Sequence, residues 1–294
     1  MKGFLEKGFA VIGQVDSARV TNLKAIVEAV KSMGKVSAVI VSEPRETLGV
    51  ANTVVVSGVV KKETGLEVIC QLTCRDRNRA ALLSDVLAAG MLGVNHFLVT
   101  DGSHPKMSDI PHAMAVFDLD SAQLVQMLKT LSEKGEVFGQ KIPEPPNLCV
   151  GAIAFPAASP IEVEVKRLER MTKAGLDFIV TYPTFNFEAL KSFKKAVSFL
   201  GVPVVVGIRI PANVADARRL NEDPRVIVPP ELINALEKAE TLEGEEKVKA
   251  RLKVNIEFFT KFIKALKDEG FAGCSLHAPG MEQAVNQLAS KLKA

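Results

Sequence analysis

The chain contains no tryptophan, a single tyrosine (Tyr182), and only four cysteines and four histidines in 294 residues. No two cysteines form a Cys-x-x-Cys pair; Cys70, Cys74, Cys149 and Cys274 each sit in or beside a strand-like apolar run. That spacing argues against a zinc site, so no metal is expected and the four thiols are expected to act as small buried hydrophobes. An excess of one charge is also missing. The 37 Lys and Arg against 34 Asp and Glu leave a net +3, with no long run of either sign, which argues against nucleic acid as the main partner. No apolar stretch reaches the ~18 residues of a membrane span. The segment Met1-Lys2-Gly3-Phe4-Leu5-Glu6-Lys7 is too short and too charged for a signal peptide, so a cytoplasmic location is expected.

What is present is an alternation. Hydrophobic residues make up 47% of the chain and charged residues 24%, the balance of a globular protein with a sizeable core. Short runs rich in Val, Ile and Leu recur, each followed by helical periodicity. Strands are expected at Phe9–Gln14, Val36–Ser42, Glu67–Leu72, Asn95–Thr100, Leu148–Ala154, Asp177–Thr181, Val204–Ile208 and Gly270–Leu276. The first helices are expected over Arg19–Met33, Val50–Lys62, Arg77–Leu92 and Ser121–Lys134, the last capped by Asp118 or Asp120. Further helices are expected over Pro160–Lys173, Phe187–Leu200, Asn213–Leu220, Pro230–Glu240, Glu245–Glu269 and Met281–Leu292. Near-continuous apolar strands, each followed by helix, predict an α/β fold: a (β/α)8 TIM barrel occupying residues 1–294 as one domain. A doubly wound open sheet would carry a glycine-rich phosphate loop after its first strand, and Gly13-Gln14-Val15-Asp16-Ser17 is not one.

In such a barrel the chemistry sits just past the carboxyl end of each strand. The residues there are Gln14, Glu43, Thr73 with Arg75, Asp101 with Ser103 and His104, Phe155, Tyr182, Arg209 and His277. Each has a plain alternative. Glu43, before Pro44, reads as a solvated loop carboxylate; Arg75 and Arg209 read as partners of Asp101 or Glu43; His104 and His277 read as rim residues. Tyr182 stands apart, because a lone phenol beside Pro183 suits stacking on a planar ligand or donating a hydrogen bond.

Four segments carry a resemblance. They are Leu72-Thr73-Cys74-Arg75-Asp76-Arg77-Asn78, Gly102-Ser103-His104-Pro105, Phe117-Asp118-Leu119-Asp120-Ser121-Ala122-Gln123-Leu124, and Ala174-Gly175 leading to Thr181-Tyr182-Pro183. In this order they resemble the methylenetetrahydrofolate reductase family, in its short bacterial and archaeal form. The resemblance implies a (β/α)8 barrel that binds FAD and a folate in turn and reduces the methylene group to a methyl.

The departures from that pattern cluster at the mouth. The family's first strand ends in a glutamate that acts as general acid; the equivalent position here is Gln14, and an amide cannot serve as that acid. The family's Gly-Asp after strand four is Gly102-Ser103, with Asp101 displaced. Its Thr-Gln after strand six is Thr181-Tyr182, and its later Asp is Asn186. The neighbourhood of its flavin-phosphate lysine reads Glu169-Arg170-Met171-Thr172-Lys173, and the strand-three histidine of many members is Gln71. These changes point to a tetrahydrofolate methyltransferase exchanging a methyl group between tetrahydrofolate N5 and the cobalamin of a corrinoid-protein partner. Gln14, Asp101 and Tyr182 are its candidate catalytic residues. Glu43, Thr73, Ser103, Phe155, Arg209 and His277 are candidate substrate contacts. The alternatives are an FAD-dependent methylenetetrahydrofolate reductase and a non-catalytic folate- or flavin-binding subunit of a complex; self-association is left open.

Overall fold

A computed structural model describes residues 3, 5 and 8–293; most of the Met1–Lys7 segment lies outside the described residues. The barrel strands are β1 (Ala10–Asp16), β2 (Ala38–Ser42), β3 (Val68–Thr73), β4 (His96–Thr100), β5 (Cys149–Ala154), β6 (Phe178–Thr181), β7 (Val204–Arg209) and β8 (Gly273–His277). They pair in parallel in sequence order, and β8 closes on β1 through the register Ala10↔Gly273 to Gln14↔His277. The expected barrel is therefore the observed one.

Ten helices clothe the described barrel: α1 (Lys24–Ser32), α2 (Thr53–Thr64), α3 (Arg79–Met91), α4 (Ser121–Lys134), α5 (Ile161–Lys173), α6 (Phe187–Val197), α7 (Val214–Leu220), α8 (Pro230–Glu240), α9 (Gly244–Asp268) and α10 (Glu282–Lys293). Caps account for several starts. Asn52 accepts from the Val54 amide, Asn78 from Ala81, and Asp120 forms a reciprocal capping box with Gln123. Of the two caps proposed for α4, Asp120 is the one used; Asp118 instead binds the Arg79 side chain and amide. The first helix begins at Lys24 rather than Arg19. Arg19 is drawn away to donate to the Leu48 carbonyl and to pair with Asp109 at 2.7 Å. An antiparallel pair, Glu136–Val137 with Gln140–Lys141, fills part of the connector before β5, which carried no strand signal.

Side chains alternate across each strand. One face packs outward against the helices, including Val11, Val39, Cys70, Phe97, Val206 and Leu276. The other fills the barrel with Ala10, Ile12, Ile40, Ile69, Leu98, Phe178 and Val205. Gly151 makes room for the Phe178 ring, whose edge a Cβ would meet at 2.3 Å. All four cysteines are buried. Burial pushes the Cys70 and Cys74 thiols up to about 11 and about 12, so they are inert at neutral pH, as expected of structural thiols. No group of three or more potential metal ligands occurs among the described residues. Nor is any described helix long and apolar enough to cross a membrane.

Candidate functional site

Towards the carboxyl ends, the inward alternation turns polar. Gln14 and Asp16 follow Ile12 on β1, Ser42 follows Ile40 on β2, Thr73 ends β3, Arg209 ends β7, and Ser275 and His277 end β8. The apolar plug thus stops about two residues short of the rim, and a polar layer lies on top of it.

The first half of this layer is strand-borne. The Gln14 amide donates to Ser42 Oγ at 3.0 Å, and Ser275 Oγ donates to Gln14 Oε1 at 3.4 Å. Ser42 Oγ donates to Asp16 Oδ1 at 2.7 Å. The buried His277 Nε2 lies 3.1 Å from Asp16 Oδ2. Burial raises the Asp16 pKa; His277, Ser42 and Arg209 outweigh it and hold the group below the ordinary carboxylate value. Arg209 ion-pairs with Asp216 of α7 at 3.1 Å and donates to its neighbour's carbonyl at Ile210. Burial weakens the charged form of Arg209, and the two carboxylates only partly restore it.

Two of the plain readings are corrected here. Glu43 is not solvated: its side chain is 7% exposed, Oε1 accepts from Arg77 at 2.9 Å, and Oε2 is buried without a hydrogen-bond partner, 3.6 Å from Arg75. Burial of the adjacent Arg75, also bonded to Asp76, draws the carboxylate inward. Arg209 pairs with Asp216 rather than Asp101 or Glu43, because α7 follows β7 directly and its amino end closes back on the strand.

The second half is loop-borne. Tyr182 Oη donates to Asp223 Oδ2 at 2.9 Å. Arg225 clamps the same carboxylate through Nε and Nη2 at 2.8 and 2.7 Å, and Arg45 reaches it at 2.5 Å while donating to Ser103 Oγ at 2.9 Å. The Arg225 guanidinium stacks 4.4 Å from the Tyr182 ring centroid and 5.5 Å from that of Phe155. Asp223 thereby joins loops from β2, β6 and α7, and its acidity is strengthened well beyond the ordinary 3.8 despite burial, chiefly by Arg225. Burial first, then Asp223, raises the Tyr182 phenol, which stays neutral. Phe155 is held by its amide on Glu164 at 2.9 Å, and Glu164 is locked by Arg167 at 2.6 Å. Gly102, at φ 84°, lets the β4 loop press on Thr73, whose Cγ2 a Cβ would meet at 2.4 Å; this sets Ser103 toward Arg45.

The expected site residues do not all converge. Asp101 accepts from the Ser121 amide at 2.6 Å and from its hydroxyl at 2.8 Å, so its bonds run to the first turn of α4 rather than to Gln14 or Tyr182. His104 turns to accept from the Lys106 amide at 3.2 Å, beside Phe117. Thr73 Oγ1 is buried and has no hydrogen-bond partner. Sequence reasoning missed Asp16, Ser42 and Ser275, which share a strand face with Gln14, Ile40 and His277 and are legible from period-two alternation. It also missed Arg45, Asp223 and Arg225, for which no local pattern exists.

On the loop-borne side lies a shallow crevice lined by Phe155, Pro156, Ala157, Tyr182, Pro183, Thr184 and Arg225. A pterin and a flavin differ in what they require of the mouth. A flavin dinucleotide needs cations for its diphosphate; in the expected α5 neighbourhood Arg170 pairs with Asp120 and Lys173 with Glu169 through exposed ion pairs, and nearby Arg167 pairs with Glu164. A pterin needs hydrogen-bonding groups and an aromatic face, which the polar layer and Tyr182 supply.

Comparison with known proteins agrees with this architecture. Among solved structures, EDTA monooxygenase (EmoA) from Chelativorans sp. BNC1 superposes with a TM-score of 0.57 at 11% identity, over 98% of this chain and 94% of that one; the likeness is one of fold. A putative lyase/mutase from Burkholderia cenocepacia J2315 reaches 0.49 at 11% identity, over 99% and 83%, too low to weigh. The sequence model described as Methylenetetrahydrofolate reductase matches residues 18–293, beginning just after β1 and taking in the polar layer from Ser42 to His277. The chain belongs to the methylenetetrahydrofolate reductase family of folate-related barrel enzymes.

Proposed function

We propose that this chain is a flavin-independent tetrahydrofolate methyltransferase, exchanging a methyl group between pterin N5 and a corrinoid carried by a partner protein. The observation that carries the reading is the chemistry at the end of β1. Gln14 is an amide bonded on both sides, and Asp16, the carboxyl group next to it on the same face, is held ionised. Neither supplies the carboxylic acid that opening a methylene bridge requires.

In this reading Tyr182 and Phe155 offer an aromatic wall to the pterin once Arg225 swings off. Gln14 and the unpartnered Thr73 hydroxyl present hydrogen-bonding groups to the ring's polar edge. The corrinoid supplies the metal nucleophile; the protein's task is to bind and orient the pterin beneath an open mouth. Asp101 then acts through α4, by fixing the loop that carries Ser103.

One observation favours a second reading, the FAD-dependent reductase. His277, 3.1 Å from Asp16, is an imidazole at this end of the barrel that can take the place of the missing acid.

A spectrum and a binding titration separate the two. The purified protein is expected to be colourless, to show quenching of its single tyrosine on adding tetrahydrofolate, and to move methyl groups from 5-methyltetrahydrofolate to cob(I)alamin. A yellow protein that reduces methylenetetrahydrofolate would overturn the methyltransferase reading in favour of the reductase. Absence of folate and flavin binding would leave only a non-catalytic subunit.

A further inference from the structure

We propose that Arg45 and Arg225 form a carboxylate clamp at the mouth, in which Asp223 stands in for the carboxylate of an incoming ligand. The ligand class is a flat ring joined to a carboxylate chain. In a folate that chain is the glutamyl end, so the identification rests on the folate reading and names the part of the ligand that the ring contacts leave unread.

Hydrogen bonding and charge carry the assignment. Arg45 Nη1 reaches Asp223 at 2.5 Å, and Arg225 Nε and Nη2 reach it at 2.8 and 2.7 Å. The Tyr182 hydroxyl and the Arg225 amide add bonds at 2.9 and 3.1 Å. Asp223 is thus saturated, and the cations are not. Among the described residues, neither Arg45 Nη2 nor Arg225 Nη1 makes a hydrogen bond.

Two guanidinium groups on one carboxylate leave a surplus positive charge beside a neutral phenol. The acids of the neighbouring elements are engaged elsewhere. Glu43 pairs with Arg75 and Arg77, Glu46 faces Arg219, Asp216 pairs with Arg209, and Asp101 bonds the first turn of α4. A forked guanidinium matches a carboxylate better than any other group of comparable size.

Access and motion fit the same role. The Arg45 and Arg225 side chains are 29% and 31% exposed, against 15% for Asp223, so a carboxylate meets the clamp from its outer side. The Arg225 guanidinium also covers the Tyr182 ring, 4.4 Å from its centroid. One movement therefore serves both ends of the ligand. When Arg225 leaves Asp223 for the ligand's carboxylate, it bares the aromatic wall on which the ligand's ring stacks.

Calorimetry on the full chain with three probes tests the clamp. Tetrahydrofolate carries ring and acid, 6-methyltetrahydropterin the ring alone, and p-aminobenzoyl-glutamate the acid without the pterin. The wild type is expected to prefer tetrahydrofolate to the tetrahydropterin, with the preference falling as salt rises. Arg45→Gln and Arg225→Gln are each expected to cut that preference about tenfold, without weakening the tetrahydropterin. Asp223→Asn removes the stand-in and is expected to raise the preference at least about threefold. A purely structural tie between the loops would move both pterins alike and leave the preference unchanged. An unchanged preference in all three variants would overturn the clamp and leave the folate reading standing. If neither pterin binds, but p-aminobenzoyl-glutamate does and is lost in Arg45→Gln, the clamp stands and the folate reading falls. If none of the three probes binds, both fall.

Discussion

The two halves of the mouth are built differently. On the β1–β8–β7 side, Gln14, Asp16, Arg209, Ser275 and His277 all stand on strands of one hydrogen-bonded barrel. Their spacing is set by backbone registers that cannot shift without breaking the sheet. On the β2–β4–β6 side, Arg45, Ser103, Tyr182, Asp223 and Arg225 lie on loops, and their cohesion runs largely through one carboxylate. A strand-borne cluster suits chemistry, which tolerates little displacement. A loop-borne cluster tied at one point suits admission, because one exchange of ion pairs can open it.

The sharpest break of this contrast lies on the strand side. Asp16→Asn is expected to lower methyl transfer at neutral pH by about 10-fold or more while leaving tetrahydrofolate affinity within a few-fold. Steady-state kinetics beside a fluorescence titration reads both. Asp223→Asn should do the opposite. Arg45 and Arg225 lose their shared partner, thermal unfolding shows a loss of about 1–2 kcal/mol for this partly exposed pair, and stopped-flow binding of tetrahydrofolate becomes faster.

A pH scan sharpens the same point. Folding depresses the Asp223 pKa below its ordinary 3.8, so its stabilising contribution is complete above that value. It is lost as pH falls further toward the folded value. The wild-type melting temperature should therefore drop more steeply than that of Asp223→Asn below about pH 4, as differential scanning calorimetry would record. Gln14→Glu sets a carboxyl group beside Asp16 in a buried layer and is expected to cost about 1–2 kcal/mol in chemical denaturation. It should gain no methylenetetrahydrofolate reduction, because the other departures at the mouth, Ser103 and Tyr182 among them, remain. The smallest effect belongs to Ser121→Ala, which removes one of the two bonds anchoring Asp101, for about 1 kcal/mol by the same measurement.

Much of the barrel was legible because its signals are local. The Val- and Ile-rich runs of β2, β3 and β7 report burial on both faces, and Asn52, Asn78 and Asp120 announce helix starts within a few residues of where they occur. The site was legible in part. Gln14, Thr73, Tyr182, Arg209 and His277 all fall at the mouth, since a strand end in a barrel has only one place to go. Ending β1 at Gln14 instead of Asp16 hid the carboxylate that pairs with His277, although the alternation continues through it. Glu43 looked solvated because Pro44 follows it, and only packing against Arg75 and Arg77 reveals otherwise. Asp101 looked catalytic by position, and its bonds to Ser121 depend on how the long β4–α4 connector folds back.

By itself, then, the sequence determined the strand order, the closed barrel, the buried thiols and the family, since these follow from periodicity, composition and contiguous motifs. Tertiary structure alone decided that Arg45, Ser103, Tyr182, Asp223 and Arg225 meet, and that His277 faces Asp16 across the seam where β8 closes on β1. Those residues are separated by up to 261 positions in the chain. No local preference encodes such a meeting; it appears only when the sheet closes and the loops settle on its rim.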